Sequence, residues 1–324
     1  MAAVYTARLI VAVYFLNLKT FGRSAGSSAV SAAAYRAGER LRDERTGRIY
    51  DHSGRQDVLH KEIILPTAVA ADAAAWAQDR GQFWNSAEQA ETRKNARVAR
   101  EYLVVLPYEL DLKQRVALAR GFALELSDRY QFGVDLAVHA PRVFPGSDPR
   151  NFHAHLLATT REITAGGLGA KTRLEWSDAR RAEAGLEPAV NELLHVRERW
   201  AVAANAALLA ANIEARIDHR TLEAQGIDRE PKPWIPRVPY EMERRGYRSV
   251  VAERIRQDYQ QRQQSRQAQP VESPTAESGH NMLEAIRREA REAWLKMRAA
   301  GAAAGTQRES KRERERGADD DFTP

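Results

Sequence analysis

The sequence predicts an α+β fold with a central antiparallel sheet flanked by helices, followed by a mainly helical, partly disordered C-terminal region. Apolar and polar residues alternate on both sides of a loop between residues 134 and 162, which predicts a β-hairpin. Longer segments with apolar residues three and four positions apart predict helices between the strands. From Asp228 the composition shifts to clustered prolines and then to charged, Gln-rich sequence, which is typical of a separate region.

Composition limits the classes of function. The chain has 324 residues, enough for one large domain and additional material, and its formal net charge of +6 favours a polyanionic partner. It contains no cysteine, which excludes disulfides and thiol chemistry. The apolar run at residues 9–18 is short and is not followed by a cleavage site, so we expect a buried strand rather than a signal peptide. We therefore expect a cytoplasmic protein without membrane insertion.

The first quarter of the chain predicts a strand, a helix and a hairpin in that order. Residues 4–20 are rich in Val, Ile, Tyr, Phe and Leu, which are typical of strands. An Ala-rich helix of about four turns is predicted over 28–44, with Ser27 or Ser28 as its N-cap. Residues 48–66 predict a hairpin closed by a Ser-Gly turn.

Residues 67–100 predict two helices, of which the second is strongly charged. We expect its solvated face to contain Glu91, Arg93, Lys94 and Arg97. The next strand is predicted over 101–107, with Glu101 at its start, and a helix over 111–130 is expected to cover the sheet.

Two segments follow the hairpin at 134–162. The Gly-rich segment at 164–173 lacks the spacing of a phosphate-binding P-loop and predicts a mobile basic loop. Residues 191–212 predict a helix, and its packing positions are Leu194, Trp200, Ala204 and Leu208. We place the domain boundary near residue 225, which gives a first domain at 1–225 and a charged helical region with a disordered tail at 226–324.

Three histidines are predicted to converge on one face of the hairpin. His139 ends the first strand, and His153 and His155 begin the second strand with one residue between them. If both strands bury their apolar faces on the same side, the three imidazoles share the opposite face. Three neutral imidazoles leave coordination positions free, as in a catalytic metal site. The alternative is a hairpin whose histidines face solvent or only form hydrogen bonds.

A tyrosine on the Ala-rich helix is the candidate nucleophile. Tyr35 lies off the apolar stripe, in line with Ser31 and Glu39, so we expect it to face a polar or solvent-filled space. An exposed helical tyrosine without a function is the alternative. Near a bound metal, a phenol can attack a phosphate in line and form a phosphotyrosyl bond. That bond conserves the energy of the cut phosphodiester, so the reaction is reversible.

Four blocks of the sequence together resemble the conjugative DNA relaxases of the MobA/MobL (MobQ) family. They fall in order across residues 1–227 and read SAVSAAAYRAGERL, WN-x-x-E-x-x-E-x-RKNARVARE, VHAP…NFHAHLL and ARIDHRTLEAQGI. The resemblance implies the HUH endonuclease fold, which carries a histidine cluster on a central antiparallel sheet. It also implies site- and strand-specific nicking at a plasmid origin of transfer, a 5′-phosphotyrosyl intermediate, and rejoining of the strand.

The same resemblance implies roles for individual residues. Tyr35 would be the nucleophile, and His139, His153 and His155 would bind a divalent metal, Mn²⁺ or Mg²⁺. Glu101 matches an acidic family position that would orient a ligand histidine or act on the tyrosine proton, and the alternative is a strand-edge carboxylate in an ion pair. The implied partners are single-stranded and supercoiled plasmid DNA at the origin of transfer, relaxosome accessory proteins and a coupling protein, in the cytoplasm of a bacterium.

Three other readings remain open from the sequence. Rolling-circle replication initiators use the same HUH chemistry, but their histidine motif usually precedes the tyrosine, whereas Tyr35 here precedes the histidines. A DNA-binding accessory protein of mobilization would bind without cleaving. A metal hydrolase would use water as its nucleophile and form no covalent adduct with DNA.

Overall fold

A computed structural model describes residues 12–69, 75–142 and 147–267 of the chain. The chain divides into two compact units, Met1–His219 and Arg220–Pro324. The boundary that we predict near residue 225 stays a prediction. Within the described residues, no helix is both long and apolar enough to cross a membrane.

The first unit is built on an antiparallel sheet of six strands. The described strands of this unit, six of which form the sheet, are β1 (Leu16–Gly22), β2 (Arg40–Arg42), β3 (Ile49–Asp51), β4 (Val58–Ile64), β5 (Arg97–Val105), β6 (Phe132–His139), β7 (His153–Thr164) and β8 (Gly167–Lys171). The main sheet has the order β1-β5-β7-β6-β4, with β8 paired to β7, while β2 and β3 form a separate ribbon. Every neighbouring pair is antiparallel.

Helices cover both faces of this sheet. They are α1 (Ala29–Ala37), α2 (Arg80–Gln89), α3 (Leu112–Tyr130) and α5 (Ala189–Ala210), and the short helix α4 (Asp178–Glu183) precedes α5. Leu156 and Ala158 of β7 pack in the same core as α3 and α5, whereas Leu157 packs in a second core with α1 and α2. The predicted fold class, a central antiparallel sheet flanked by helices, is confirmed. His155 has the same parity as Leu157 and therefore lies on the face covered by α1.

The Ala-rich helix is shorter than the sequence pattern suggests. Ser28 is its N-cap and accepts a hydrogen bond from the Ser31 backbone N–H, as predicted. The helix ends at Gly38, whose φ of 60° is a left-handed conformation that favours glycine. The chain then forms the ribbon of β2 and β3. The hairpin predicted over 48–66 is wrong in its pairing, because β3 pairs with β2 and β4 pairs with β6.

The helix predicted for the charged segment after Trp84 is also wrong in part. The helix α2 ends at Gln89, and residues from Arg97 onward belong to β5, so Glu101 lies within that strand and not at its start. Glu91 is buried and not solvated, with ion pairs to Arg161 at 2.8 Å and Lys171 at 2.7 Å. A carboxylate can be buried when cations pair with it, so these two partners account for the burial of Glu91.

The Gly-rich segment predicted as a mobile loop forms a strand. Residues Gly167–Lys171 pair with β7, and Lys171 closes the ion pair with Glu91. The long helices α3 and α5 match the predicted ranges within two residues. Of the packing positions proposed for α5, Leu194 is an exception because it is exposed.

The ends of the chain are described only in part. The first strand begins at Leu16, residues 12–15 are irregular, and the earlier part of the predicted strand lies outside the described residues. In the second unit, α6 (Arg237–Arg244) begins after Pro236 and includes Pro239, and α7 (Val250–Gln267) follows α6. The disordered tail that we predict lies outside the described residues.

Candidate active site

The pairing of β6 with β7 brings three histidines together. His139 lies directly opposite His153 in the antiparallel register, and His155 follows two residues later on the same face of β7. The ring centroids are 5.3 Å apart for His139 and His153, 4.7 Å for His139 and His155, and 5.2 Å for His153 and His155. One ring nitrogen from each histidine lies within 4.8 Å of the others. In the part of the chain that the structure describes, this is the one group suited to hold a metal ion.

Each imidazole is oriented by a hydrogen bond to an oxygen that has no proton. The Nδ1 atom of His155 is 2.6 Å from Glu101 Oε1, and the Nδ1 atom of His153 is 2.9 Å from the Asn151 carbonyl oxygen. The Nε2 atom of His139 is 2.7 Å from the Arg36 carbonyl oxygen. In each pair the ring N–H donates, so the other nitrogen of the neutral ring keeps its lone pair. These contacts leave His153 Nε2, His155 Nε2 and His139 Nδ1 as the candidate metal-binding atoms, and a metal ion would have to replace the Arg55 Nη2 group that lies 3.3 Å from His139 Nδ1.

Burial keeps the three histidines neutral. Burial lowers the pKa of His139 to about 3, with a further contribution from the neighbouring His155. Burial also lowers the pKa of His153 and of His155, although the hydrogen bond to Glu101 opposes the shift at His155. Neutral imidazole is the form that binds metals, so the donor set fits a divalent cation at ordinary pH.

The Glu101 carboxylate lies between two partners, Arg36 and His155. It is 4% exposed, its Oε2 accepts a hydrogen bond from Arg36 Nη2 at 2.7 Å, and its Oε1 is shared between Arg36 Nε and His155. Burial alone would raise the pKa of Glu101, but hydrogen bonds from His155 and Arg36 outweigh it and lower the pKa to about 2. Because its oxygens contact Arg36 and His155, the geometry supports the orienting role more than proton transfer from Tyr35.

Tyr35 projects from α1 into a space bordered by arginines. Its side chain is 38% exposed, and its hydroxyl accepts a hydrogen bond from Arg142 Nη2 at 2.9 Å. The guanidinium of Arg55 lies 4.3 Å from the centroid of the tyrosine ring. The His52 ring meets the tyrosine ring edge to face, with 5.2 Å between the two ring centroids. A tyrosine that is half exposed and hydrogen-bonded by a cation is accessible to an anionic substrate.

Two contacts connect Tyr35 with the histidine cluster. Arg36, the residue after Tyr35, provides the carbonyl oxygen that binds His139. Arg55 donates to the Tyr35 carbonyl oxygen at 2.6 Å, and another of its nitrogens is 3.3 Å from His139 Nδ1. The structure thus brings together all five residues that the sequence singles out: Tyr35, Glu101, His139, His153 and His155.

Sequence reasoning missed four residues that build these contacts. They are Arg36, Arg55, Asp57 and Arg142. A signal for Arg36 existed, because an arginine within an Ala-rich helix and a glutamate within an apolar strand are candidates for a buried pair. No comparable signal marks the other three, which lie in loops where neither helical nor strand periodicity applies.

Comparison with known proteins identifies relatives over most of the chain. A family model described as the MobA/MobL family matches residues 27–245. Mobilization protein MobL of Acidithiobacillus ferridurans is 38% identical over 254 residues, which cover 72% of this chain and 65% of that protein. A probable mobilization protein MobA of Bifidobacterium longum is 31% identical over 68% of this chain and 42% of its own length. The match thus spans less than two thirds of each of these relatives.

A solved structure also aligns with this chain. The structure described as "Molecular Basis of Vancomycin Resistance Transfer in Staphylococcus aureus" aligns with a TM-score of 0.51 and 26% sequence identity. The alignment covers 65% of this chain and all of that chain. The family model covers well over half of the sequence, including Tyr35 and the three histidines. This chain therefore belongs to the MobA/MobL family, as the four sequence blocks predict.

Proposed function

We propose that this protein is a conjugative DNA relaxase that nicks one strand at a plasmid origin of transfer and later rejoins it. The observation that carries the proposal is the position of Arg55, which contacts both Tyr35 and His139. A nucleophilic hydroxyl and a set of metal-binding nitrogens thereby border the same space. That combination is suited to phosphoryl transfer from DNA to a tyrosine.

The proposed step is a transesterification. The Tyr35 Oη attacks the scissile phosphorus, the Oη–P bond forms, and the bond from phosphorus to the 3′ oxygen breaks. The phenol loses its proton to water, and the leaving 3′ oxygen takes up a proton, so the step is balanced. The products are a 5′-phosphotyrosyl end and a free 3′ hydroxyl. Rejoining is the same step in reverse, with the 3′ hydroxyl as the nucleophile.

His139, His153 and His155 would hold a divalent metal. When bound, the metal would neutralise charge on the phosphate. Glu101 would act as a positioning residue, since it fixes the orientation of His155 through a hydrogen bond. Three nitrogen donors favour Mn²⁺ over Mg²⁺, because Mg²⁺ prefers oxygen ligands and retains its water.

The proposed substrate is single-stranded DNA exposed within a supercoiled plasmid. The excess of Lys and Arg over Asp and Glu in the whole chain, 50 against 44, favours a polyanionic substrate such as DNA. Relaxosome accessory proteins and a coupling protein are further partners that we infer from the family. Such a substrate places the reaction in the bacterial cytoplasm.

Covalent capture of DNA tests the proposal. Purified protein is incubated with an oligonucleotide that carries the origin of transfer of its own replicon, in the presence of Mn²⁺ or Mg²⁺. We expect a protein–DNA band on a denaturing gel, abolished in Tyr35→Phe and by EDTA. Tyr240→Phe is the matched control, because Tyr240 is also exposed but lies on α6. This variant should form the adduct at the rate of the unmodified protein.

The same experiment separates the other readings. Cleavage that survives in Tyr35→Phe without an adduct would indicate a hydrolase that uses water. Binding without cleavage, with either metal, would favour an accessory protein. An adduct at a replication origin of the plasmid, and none at its origin of transfer, would favour a rolling-circle initiator.

A further inference from the structure

Three charged residues outside the histidine cluster surround the candidate nucleophile. We propose that Arg55, Asp57 and Arg142, called here the Asp57 network, fix the Tyr35 hydroxyl for attack, with Arg142 as a catalytic residue and Asp57 as a positioning residue. This inference rests on the proposed function, since it concerns the same reacting oxygen. It assigns roles to residues that lie outside the site predicted from the sequence.

Arg142 contacts the reacting atom itself. Its Nη2 donates to Tyr35 Oη at 2.9 Å, and its guanidinium lies 5.7 Å from the centroid of the ring. An arginine stays charged at all ordinary pH values, so the donor is always a cation. A charge-assisted hydrogen bond becomes stronger as the oxygen gains negative charge. Arg142 would therefore stabilise the negative charge that develops on Oη as the phenol loses its proton, before the bond to phosphorus is complete.

Asp57 holds the two arginines in place. It accepts hydrogen bonds from Arg55 Nε at 2.8 Å and Nη2 at 2.5 Å, and from Arg142 Nε at 3.0 Å. The hydrogen bond from Arg55 is the main reason that the pKa of Asp57 lies well below its usual range, and Arg142 contributes. The carboxylate is therefore ionised wherever the protein is folded at ordinary pH. One ionised group thus orients both guanidinium groups around the tyrosine.

Arg55 fixes the remainder of the tyrosine. Its guanidinium stacks over the Tyr35 ring, and its Nη1 donates to the Tyr35 carbonyl oxygen at 2.6 Å. The ring, the backbone and the hydroxyl of one residue are thereby connected to one carboxylate. Arg55 and Asp57 come from the segment between β3 and β4, and Arg142 comes from the segment after β6. Two segments far apart in sequence converge on this single side chain.

The first test is single-turnover formation of the adduct at saturating origin DNA. We expect Asp57→Asn to slow the rate by about 10- to 100-fold, the range for loss of a supporting group, and Arg142→Gln to slow it by about 100- to 1000-fold, the range for loss of one preorganised donor. The dissociation constant for DNA should change by less than about threefold, since the loss is in the transition state. Arg120→Gln is the control, because Arg120 carries the same charge on α3 and pairs with Glu62. The control should react at the normal rate.

A double variant tests whether the residues act as one unit. If Asp57 acts by holding Arg142, then the Asp57→Asn change should have little further effect on the rate once Arg142 is already Gln. Losses that multiply in the double variant would contradict a shared network. An unchanged saturating rate in Arg142→Gln with weaker DNA binding would also contradict it, and would make Arg142 a phosphate contact.

A measurement without DNA separates this inference from the proposed function. Incorporation of 3-fluorotyrosine gives ten fluorine positions, and Tyr35→Phe assigns the Tyr35 resonance. We expect that resonance to shift in Arg142→Gln and Asp57→Asn but not in Arg120→Gln. An unchanged resonance in both variants would overturn the network. If the resonance shifts while the unmodified protein forms no adduct, then the network stands and the relaxase proposal fails.

Discussion

The two halves of the candidate site are built in different ways. The histidine cluster lies on two adjacent strands, with His139 only 1% exposed and the three rings packed against one another. Tyr35 is 38% exposed, and its hydroxyl is held by an arginine from a loop. Strand register therefore places the metal-binding side, whereas α1 carries Tyr35 and long side chains from loops hold its ring and hydroxyl.

The two halves of the site therefore differ in what holds their side chains in position. The positions of the imidazoles are fixed by backbone pairing and by hydrogen bonds to Glu101, Asn151 and Arg36, so they are preorganised. Tyr35 is instead held by Arg55 and Arg142, which come from two loops and are both bound by Asp57.

Removal of a histidine should produce the largest effect. We expect His155→Ala to weaken Mn²⁺ binding by more than about 100-fold, since loss of a ligand exceeds the 10- to 100-fold effect of losing a supporting group. Adduct formation at limiting Mn²⁺ should fall below detection. Binding is measured from the loss of the free Mn²⁺ signal in electron paramagnetic resonance.

His195→Ala is the matched control for this variant. His195 lies exposed on α5, where it pairs with Glu187 and not with the cluster. This variant should bind Mn²⁺ as the unmodified protein does. Equal Mn²⁺ binding by His155→Ala and His195→Ala would show that the cluster is not the metal site.

Replacement of Glu101 should have the next largest effect. We expect Glu101→Gln to weaken Mn²⁺ binding by about 10- to 100-fold, because a neutral amide supports His155 less well. It should also lower the free energy of unfolding at pH 7 by about 3 kcal/mol, since Arg36 loses its buried counter-charge. Calorimetric Mn²⁺ titration and urea unfolding measure the two effects.

The pH dependence of stability provides a second signature of Glu101. The pKa of Glu101 is about 2 in the folded protein, below its ordinary value of 4.5. Its contribution to stability is therefore present above about pH 4.5 and is lost as the pH falls through about 2. In Glu101→Gln this part of the acid destabilisation should be absent. The same acid sensitivity in both proteins would mean that the ion pair with Arg36 does not stabilise the fold.

Sequence periodicity could predict most of the sheet and the whole histidine cluster. Alternation in β6 and β7 assigns each histidine to a face, and antiparallel pairing then brings the faces together. Helices α3 and α5 have long apolar stripes and were predictable within two residues. These features depend on local pattern and one pairing, which a single sequence contains.

The remaining features depend on contacts between distant segments. The sequence pattern places Glu91 on a solvated face, but its partners Arg161 and Lys171 come from strands 70 and 80 residues later in the chain. Likewise, no periodicity places Arg142 beside Tyr35, which is 107 residues away along the chain. Buried charge is stable only when paired, and the pairing is a tertiary property.

The smallest effect is expected from a substitution that lowers the stability of α1 and leaves the histidine cluster intact. Ser28 accepts a hydrogen bond from the Ser31 backbone N–H and donates one to the buried Asp43 at 2.8 Å. We expect Ser28→Ala to lower the free energy of unfolding by about 1–2 kcal/mol, the range for loss of an N-cap, as measured by urea unfolding. Mn²⁺ binding should be unchanged, because Ser28 caps the first turn of α1, whereas the Arg36 carbonyl oxygen that orients His139 lies in its last turn. The exposed Ser24→Ala is the control, with a change within about 0.5 kcal/mol. Weaker Mn²⁺ binding in Ser28→Ala alone would mean that loss of the cap displaces the Arg36 carbonyl oxygen at the other end of α1, and that the two halves of the site are not independent.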